Sequence, residues 1–133
     1  MKTDSFAIHS VSSDRALTFS GDGESWRVRL TGTGISAETA VWAGMGKGEL
    51  NQFFQTLGKM QRPWATAQTW EALESECALS AKCSVLGDVT LDVTLRGNPG
   101  SAEQWMVRAG LSVEFGQLAR MAAEAQRFFG DGK

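Results

Sequence analysis

Apolar residues recur at every second position in two separate blocks of the chain, and each block is followed by a segment with helical spacing. The clearest alternating positions are Trp26, Val28 and Leu30 in the first block and Val89, Leu91, Val93 and Leu95 in the second. A period of two is typical of strands that bury one face. Short glycine turns such as LGD at residues 86–88 are suited to hairpins between such strands. The pattern therefore predicts two groups of antiparallel strands.

Helical stripes follow both blocks. The first stripe consists of Leu50, Phe53, Phe54, Leu57 and Met60, and the second of Leu118, Met121, Ala122, Ala125, Phe128 and Phe129. Arg62-Pro63 would end the first helix and Gly130 would cap the second. We predict an α+β fold in the order strands, helix, strands, helix, with a curved antiparallel sheet of about six or seven strands and both helices on one face. The 133 residues are expected to form a single domain, 1–133.

Charge and hydropathy exclude several classes of function. The net charge of −2 offers no basic surface for nucleic acid or an anionic membrane. No apolar run approaches the length of a membrane span or of the hydrophobic part of a secretory signal. We therefore expect a cytoplasmic protein that binds neither nucleic acid nor membrane.

The segment WEALESECALSAKCSV, residues 70–85, contains three glutamates and both cysteines. Cys77 and Cys83 fall on one face of a predicted strand, but six residues separate them by roughly 20 Å. A disulfide needs α-carbons within about 7 Å, and the spacing matches no zinc motif. We expect buried thiols, with neither a metal nor a cofactor. Glu71, Glu74 and Glu76 form either a solvated turn or short helix before the strand, or a binding patch.

No catalytic constellation is evident. The one histidine, His9, is predicted on the exposed face of a strand, and no G-x-S-x-G motif accompanies it. VWAGMGKGEL, residues 41–50, lacks the first glycine and the hydroxyl of a phosphate-binding loop. The spacing of the carboxylates selects no acid–base pair. The sequence therefore favours a protein that is not an enzyme.

The tryptophans suggest where a partner would bind. Trp26 and Trp105 fall on apolar strand faces and are predicted in the core. Trp42, Trp64 and Trp70 either pack against the sheet edge or serve as partly exposed anchors in an interface. The predicted protein-binding residues are Trp42, Trp64, Trp70, Glu71, Glu74 and Glu76. The alternative platform is the polar sheet face with Arg27, Arg29, Arg96 and Arg108.

A distinctive pattern in the second half of the chain consists of Trp64, Trp70, Leu73, Glu74, Leu79, Ala81, Gly87, Val89, Leu91, Val93, Leu95, Trp105, Leu111, Glu114, Gly116, Gln117 and Leu118. This pattern resembles that of a bacterial family known as domain of unknown function 6228. Asp88 departs from the pattern, where histidine is expected. The layout of strands and helices is also similar to that of small immunity proteins paired with wall-associated toxins, a likeness of architecture.

These observations lead to one functional expectation and two alternatives. We expect a non-enzymatic binding protein, an immunity protein that neutralises a cognate toxin by covering its active site. The first alternative is a small-molecule-binding or enzymatic domain with a pocket between helices and sheet. The second is a structural or oligomerising module. The sequence leaves the oligomeric state open.

Overall fold

The structure is a computed structural model that describes residues 5–21, 25–42, 47–98 and 100–130, without the side chains of residues 42, 47 and 48. This part of the chain contains eight strands and two α-helices. In chain order they are β1 (Ser5–His9), β2 (Ala16–Ser20), β3 (Ser25–Gly32), β4 (Ile35–Trp42), α1 (Lys47–Gly58), β5 (Gln68–Glu71), β6 (Cys77–Cys83), β7 (Asp88–Gly97), β8 (Trp105–Glu114) and α2 (Leu118–Phe129). A short 3-10 turn, Phe115–Gln117, joins β8 to α2.

The strands form two antiparallel sheets of four, in the orders β1-β2-β3-β4 and β5-β6-β7-β8. The α+β class and the order strands, helix, strands, helix are thus confirmed, while the strands number eight and are divided between two sheets. The division follows from connectivity, because each sheet is a meander of sequence neighbours and α1 intervenes between β4 and β5. Where β4 approaches β7, the Thr39 hydroxyl donates to the Arg96 carbonyl at 3.0 Å.

The short strand β5 is the one element that we did not predict. Glu71 was expected in a turn or short helix before the strand, yet Gln68–Glu71 pairs antiparallel with β6, and Trp70 lies opposite Leu79. Trp70 is only 9% exposed. Burial of this indole against β6 explains why four residues without a clear alternating pattern form a strand.

The apolar faces of both sheets and both helices pack together in one hydrophobic core. The helices contribute Phe54 and Phe129, whose rings lie 6.1 Å apart. Both contact Phe6 of β1, at 5.2 Å and 6.0 Å between ring centroids. The helices therefore pack on the apolar face of the first sheet, as predicted. Trp26 is buried as predicted, while Trp105 is half-buried at the margin of the core.

The two helices cross closely near the end of α1. The Gln55 side-chain amide of α1 donates to the Ala122 carbonyl of α2 at 2.8 Å. A β-carbon placed on Gly58 would lie only 2.4 Å from the β-carbon of Ala122. Gly58 thus allows the backbones of α1 and α2 to approach each other.

The loop between β1 and β2 is hydrogen-bonded to β8. The Val11 N–H donates to the Ser112 carbonyl at 2.9 Å, and the Ser112 N–H donates to the Ser10 hydroxyl at 3.0 Å. The Arg15 guanidinium donates to the Gly110 carbonyl at 2.9 Å. These bonds lie on the outer edge of β8, since β8 is the last strand of its sheet. In the described part of the chain, no helix has the length and apolar character needed to cross a bilayer.

Candidate functional site

A groove of about 730 Å³ opens between α1 and the polar face of the second sheet. One wall is a single face of α1, formed by Glu49, Gln52, Phe53 and Thr56. These positions are spaced by three, four and seven residues, so their side chains project from the same side of the helix. Phe53 is buried and the other three are exposed or partly exposed. The wall therefore has an apolar base and a polar rim.

The floor of the groove is formed by the polar face of four strands, β5 to β8. Two cross-strand rows compose it, the first Glu71, Ala78, Thr94 and Arg108 and the second Thr69, Ser80, Asp92 and Gly110. The inner positions carry small side chains, which leave space above the sheet. Gly110 has no side chain, and a β-carbon there would lie 3.2 Å from an Asp92 carboxylate oxygen. The depth of the groove thus results from small residues on the strands β6, β7 and β8.

Of the four charged side chains in the groove, only Asp92 forms an ion pair within the described residues. Asp92 forms an ion pair with Lys82, with 3.0 Å between Oδ2 and Nζ. Glu49, Glu71 and Arg108 form no ion pair with any other residue in the described ranges. Glu71 and Arg108 end the same row, so three strand spacings, about 14 Å, separate them. The groove therefore has carboxylates beside α1 and β5 and a guanidinium on β8.

Two exposed apolar side chains adjoin the ends of this row. Leu73, 73% exposed, follows Glu71 by two residues in the turn between β5 and β6. Met106, 58% exposed, precedes Arg108 by two residues on the same face of β8.

The tryptophans predicted as binding residues do not line up along an exposed surface. Trp64 is half-buried, and its indole N–H donates to the Ala81 carbonyl at 3.1 Å. Trp70 lies in the core, although it also lines the groove from below. Both indoles therefore pack against the second sheet, which is the first of the two alternatives considered above. The side chain of Trp42 lies outside the described residues.

The three predicted glutamates are separated by the structure. Glu71 is exposed in the groove, and Glu74 is exposed in the turn after β5. Glu76 is only 7% exposed and accepts a hydrogen bond from the Glu74 N–H at 3.1 Å. The expectation of a solvated turn residue is thus wrong for Glu76, because the preceding turn folds over it. In that turn Ser75 has a φ of 64°, and its carbonyl accepts a bond from the Arg96 guanidinium at 2.9 Å.

The four arginines of the alternative platform do not share one surface either. Arg27 and Arg29 both pair with Glu38 on the outer face of the first sheet, at 2.7 Å and 3.1 Å. Arg96 is occupied with the turn carbonyl of Ser75. Arg108 alone of the four lines the groove.

The two cysteines differ in burial, since Cys77 is buried as expected and Cys83 is only half-buried. Both are free thiols on β6. Cys77 is fully buried, and desolvation together with the nearby charge of Glu76 raises its pKa to about 12. A thiol with that pKa carries almost no thiolate at neutral pH and is a poor nucleophile. Cys83 is half-buried, with Sγ 3.4 Å from the Ser84 carbonyl.

Other chemistry is sparse in the described ranges. His9 is exposed on β1, as predicted. No three His, Cys, Asp or Glu side chains of the described residues are grouped so that they could hold a metal ion. Of the segment that fails the phosphate-loop pattern, residues 41–50, the four residues 43–46 lie outside the described part of the chain.

Sequence reasoning missed most of the groove. Its α1 wall and its floor residues Thr69, Ser80, Asp92 and Thr94 had not been proposed as a site. The available signal was the run of small residues on the polar parity of β6, β7 and β8. That signal needs the strand register, which only the structure supplies.

A family model now adds to this geometry. The model of the family of unknown function DUF6228 matches residues 9–132. The chain belongs to the DUF6228 family. The match includes all of the groove-lining residues, so the groove lies within the DUF6228 domain itself. No curated protein and no solved structure matches the chain significantly.

Proposed function

We propose that this DUF6228 chain is a non-enzymatic binding domain that recognises a partner protein through the groove between α1 and the second sheet. The observation that carries the proposal is the groove's pair of uncompensated charges, Glu71 and Arg108, at the two ends of one row. Complementary charges on a partner would fix its orientation and accelerate its association.

The open form of the groove favours a macromolecular partner. Small-molecule pockets are mostly apolar and enclose most of the ligand surface. Here Gln52 is exposed on the α1 wall, Thr69 and Arg108 are exposed at the ends of the floor rows, and polar side chains form much of the floor. The exposed Leu73 and Met106 would add apolar contact outside the groove itself.

The partner class that we propose is a bacterial toxin that the chain neutralises by covering its active site. Support for this finer proposal is the likeness of the strands-helix-strands-helix layout to small immunity proteins, an analogy of architecture.

The test applies to any neighbouring gene that encodes a large secreted protein, whose carboxy-terminal domain would be the candidate toxin. The two proteins would be co-expressed and co-purified, and their affinity measured by calorimetry. Thr94→Trp places a large ring on the floor of the groove, whereas Thr18→Trp makes the same change at a half-buried position of an inner strand in the first sheet. We expect Thr94→Trp to weaken binding by about tenfold or more and Thr18→Trp to leave it unchanged.

Two results would count against the proposal. If both variants bound the partner with equal affinity, the groove would not be the binding surface. Binding without protection of growth from the toxic domain would retain the binding function and reject the immunity role.

A second candidate function is supported by the size of the groove. A volume of about 730 Å³ falls within the range of small-molecule sites. A metabolite that raises the melting temperature of the wild type but not of Thr94→Trp would favour this alternative.

A further inference from the structure

We propose that the partner enters the groove as an extended segment, which adds a strand to the open edge of β5 and places a lysine or arginine against Glu49 and Glu71. This inference rests on the proposed function, since it specifies how a protein would occupy the same groove. It depends on three properties of β5: its position, its outward backbone groups and its charged surroundings.

The backbone groups of β5 that face outward can be identified from one hydrogen bond. The Ala72 N–H donates to the Cys77 carbonyl at 2.8 Å, so residue 72 faces β6. In an antiparallel pair the facing groups alternate, so Trp70 and Gln68 also face β6. The N–H and C=O groups of Thr69 and Glu71 therefore point away from the sheet. No hydrogen bond from another element reaches them in the described part of the chain.

The second sheet has two end strands, β5 and β8. Around Gly110 and Ser112, β8 is covered by the loop between β1 and β2, through the bonds described above. All four residues of β5 line the groove, whereas β8 contributes only Arg108. Of the two end strands, β5 is therefore the one that borders the groove along its whole length. An end strand whose outward backbone groups form no hydrogen bonds is a template for an added strand.

The charges beside β5 define the chemistry of the occupant. Glu49 projects from α1 and Glu71 from β5, on two sides of the open edge, and neither pairs with a cation of the described residues. The third carboxylate of the groove, Asp92, is already paired with Lys82 at 3.0 Å. Arg108 lies about 14 Å away, across three strand spacings. A segment along β5 is therefore in an acidic environment, and a basic side chain fits it.

The length of the segment follows from the length of the edge. Four residues of β5 extend over about 13 Å, so an added strand of roughly four to six residues would pair along all of it. Such a segment would form hydrogen bonds through its backbone. Its alternate side chains would face the two carboxylates, and this parity would provide sequence preference.

The test uses a random library of short linear peptides displayed on phage and selected against the full chain. We expect enriched peptides with β-branched residues and a lysine or arginine at alternate positions. Binding of a selected peptide should protect the Thr69 and Glu71 amide protons from exchange, as measured by NMR. The Trp70 amide is the internal control, because it already faces β6 and should change little.

Three variants separate backbone pairing from charge. Thr69→Pro removes an outward N–H without removing a bond to β6, and proline is tolerated at such edge positions. We expect Thr69→Pro to weaken binding of the selected peptide by about tenfold or more. Glu49→Gln and Glu71→Gln should each weaken it by about threefold and reduce its dependence on salt.

A matched control exists on the first sheet. His9→Pro places the same residue on β1, where the Ser10 N–H donates to the Arg15 carbonyl, so that residue 9 faces outward in the same way. This variant should bind the peptide normally. Melting temperatures of both proline variants would show whether each remains folded. The amide-exchange measurement uses the wild-type protein and therefore does not depend on the folding of any variant.

The outcomes distinguish this inference from the proposed function. Selection of no binding peptide, or peptides that bind Thr69→Pro as tightly as the wild type, would overturn strand addition. So would unchanged exchange at Thr69 and Glu71 on peptide binding. If a co-purified partner remained sensitive to Thr94→Trp in any of these cases, the groove would still be the binding site. Insensitivity of that partner to Thr94→Trp would instead reject the proposed function.

Discussion

Replacement of Gly58 by alanine tests the packing of the two helices directly. Gly58 is the last residue of α1 and does not have a positive φ, so alanine meets no backbone strain there. The obstacle is steric, because the new β-carbon would lie 2.4 Å from the β-carbon of Ala122 and 3.4 Å from the Leu118 carbonyl oxygen. Carbon atoms in contact prefer about 3.5–4.0 Å, so α1 and α2 would have to move apart by roughly 1 Å.

The expected magnitude is the balance of two effects. Overpacking of a close contact costs about 1–3 kcal/mol. Alanine gains up to about 1 kcal/mol over glycine in a helix interior, and less at the last residue of a helix. Gly58→Ala should therefore lower the free energy of unfolding by about 1–2 kcal/mol. For a domain of this size, that corresponds to roughly 3–8 °C in melting temperature.

A double-mutant cycle with Ala122→Gly isolates the contact. Ala122→Gly alone should cost about 1 kcal/mol, since glycine lowers helix stability. In the double variant the two β-carbons no longer meet, so we expect a favourable coupling energy of about 1–2 kcal/mol. Urea unfolding of all four proteins measures it. A Gly58→Ala variant as stable as the wild type, or strictly additive effects, would refute the reasoning.

Three further predictions concern the core and the titratable groups. Cys77, with a pKa of about 12, should not react with a thiol reagent at pH 8, whereas the half-buried Cys83 should react slowly, and both should react in denaturant. The Thr33 hydroxyl and N–H, at 2.6 Å and 3.0 Å, lower the pKa of Asp14, so NMR titration should place this carboxyl below 3.8 and Thr33→Val should raise it. The stabilisation from this lowered pKa should be present above about pH 4 and be lost as the pH falls through the folded value. Phe54→Ala removes a fully buried ring and should cost about 3–5 kcal/mol in unfolding experiments.

The elements with strong periodicity were predictable from sequence because burial imposes the period. The alternation in β7 leaves Val89, Leu91 and Val93 buried, and the α2 stripe buries Phe128 and Phe129. The helices and most strands therefore follow from pattern alone. Division into two sheets does not, since the same alternation suits a strand inside one large sheet or inside either of two.

The strand β5 and the groove required the structure for a different reason. Gln68–Glu71 is too short to show a period, and its strand conformation depends on pairing with β6. The groove combines α1 with residues of four strands, and only the register brings Glu71 and Arg108 into one row. Side chains such as Ser80 and Thr94 are individually unremarkable in sequence. Only their shared position on the floor of the groove distinguishes them from other small polar residues.

The bonds between the first hairpin loop and β8 bear on how the chain acquires its structure during synthesis. The partners Ser10 and Ser112 are 102 residues apart, so the amino-terminal hairpin emerges from the ribosome long before its hydrogen-bonding partner exists. Closure of this contact must follow translation of β8, and non-local contacts of this kind slow folding. Between the synthesis of β8 and the closure of this contact, the outer edge of β8 near Ser112 is uncovered, and nascent molecules would be most susceptible to self-association at that stage.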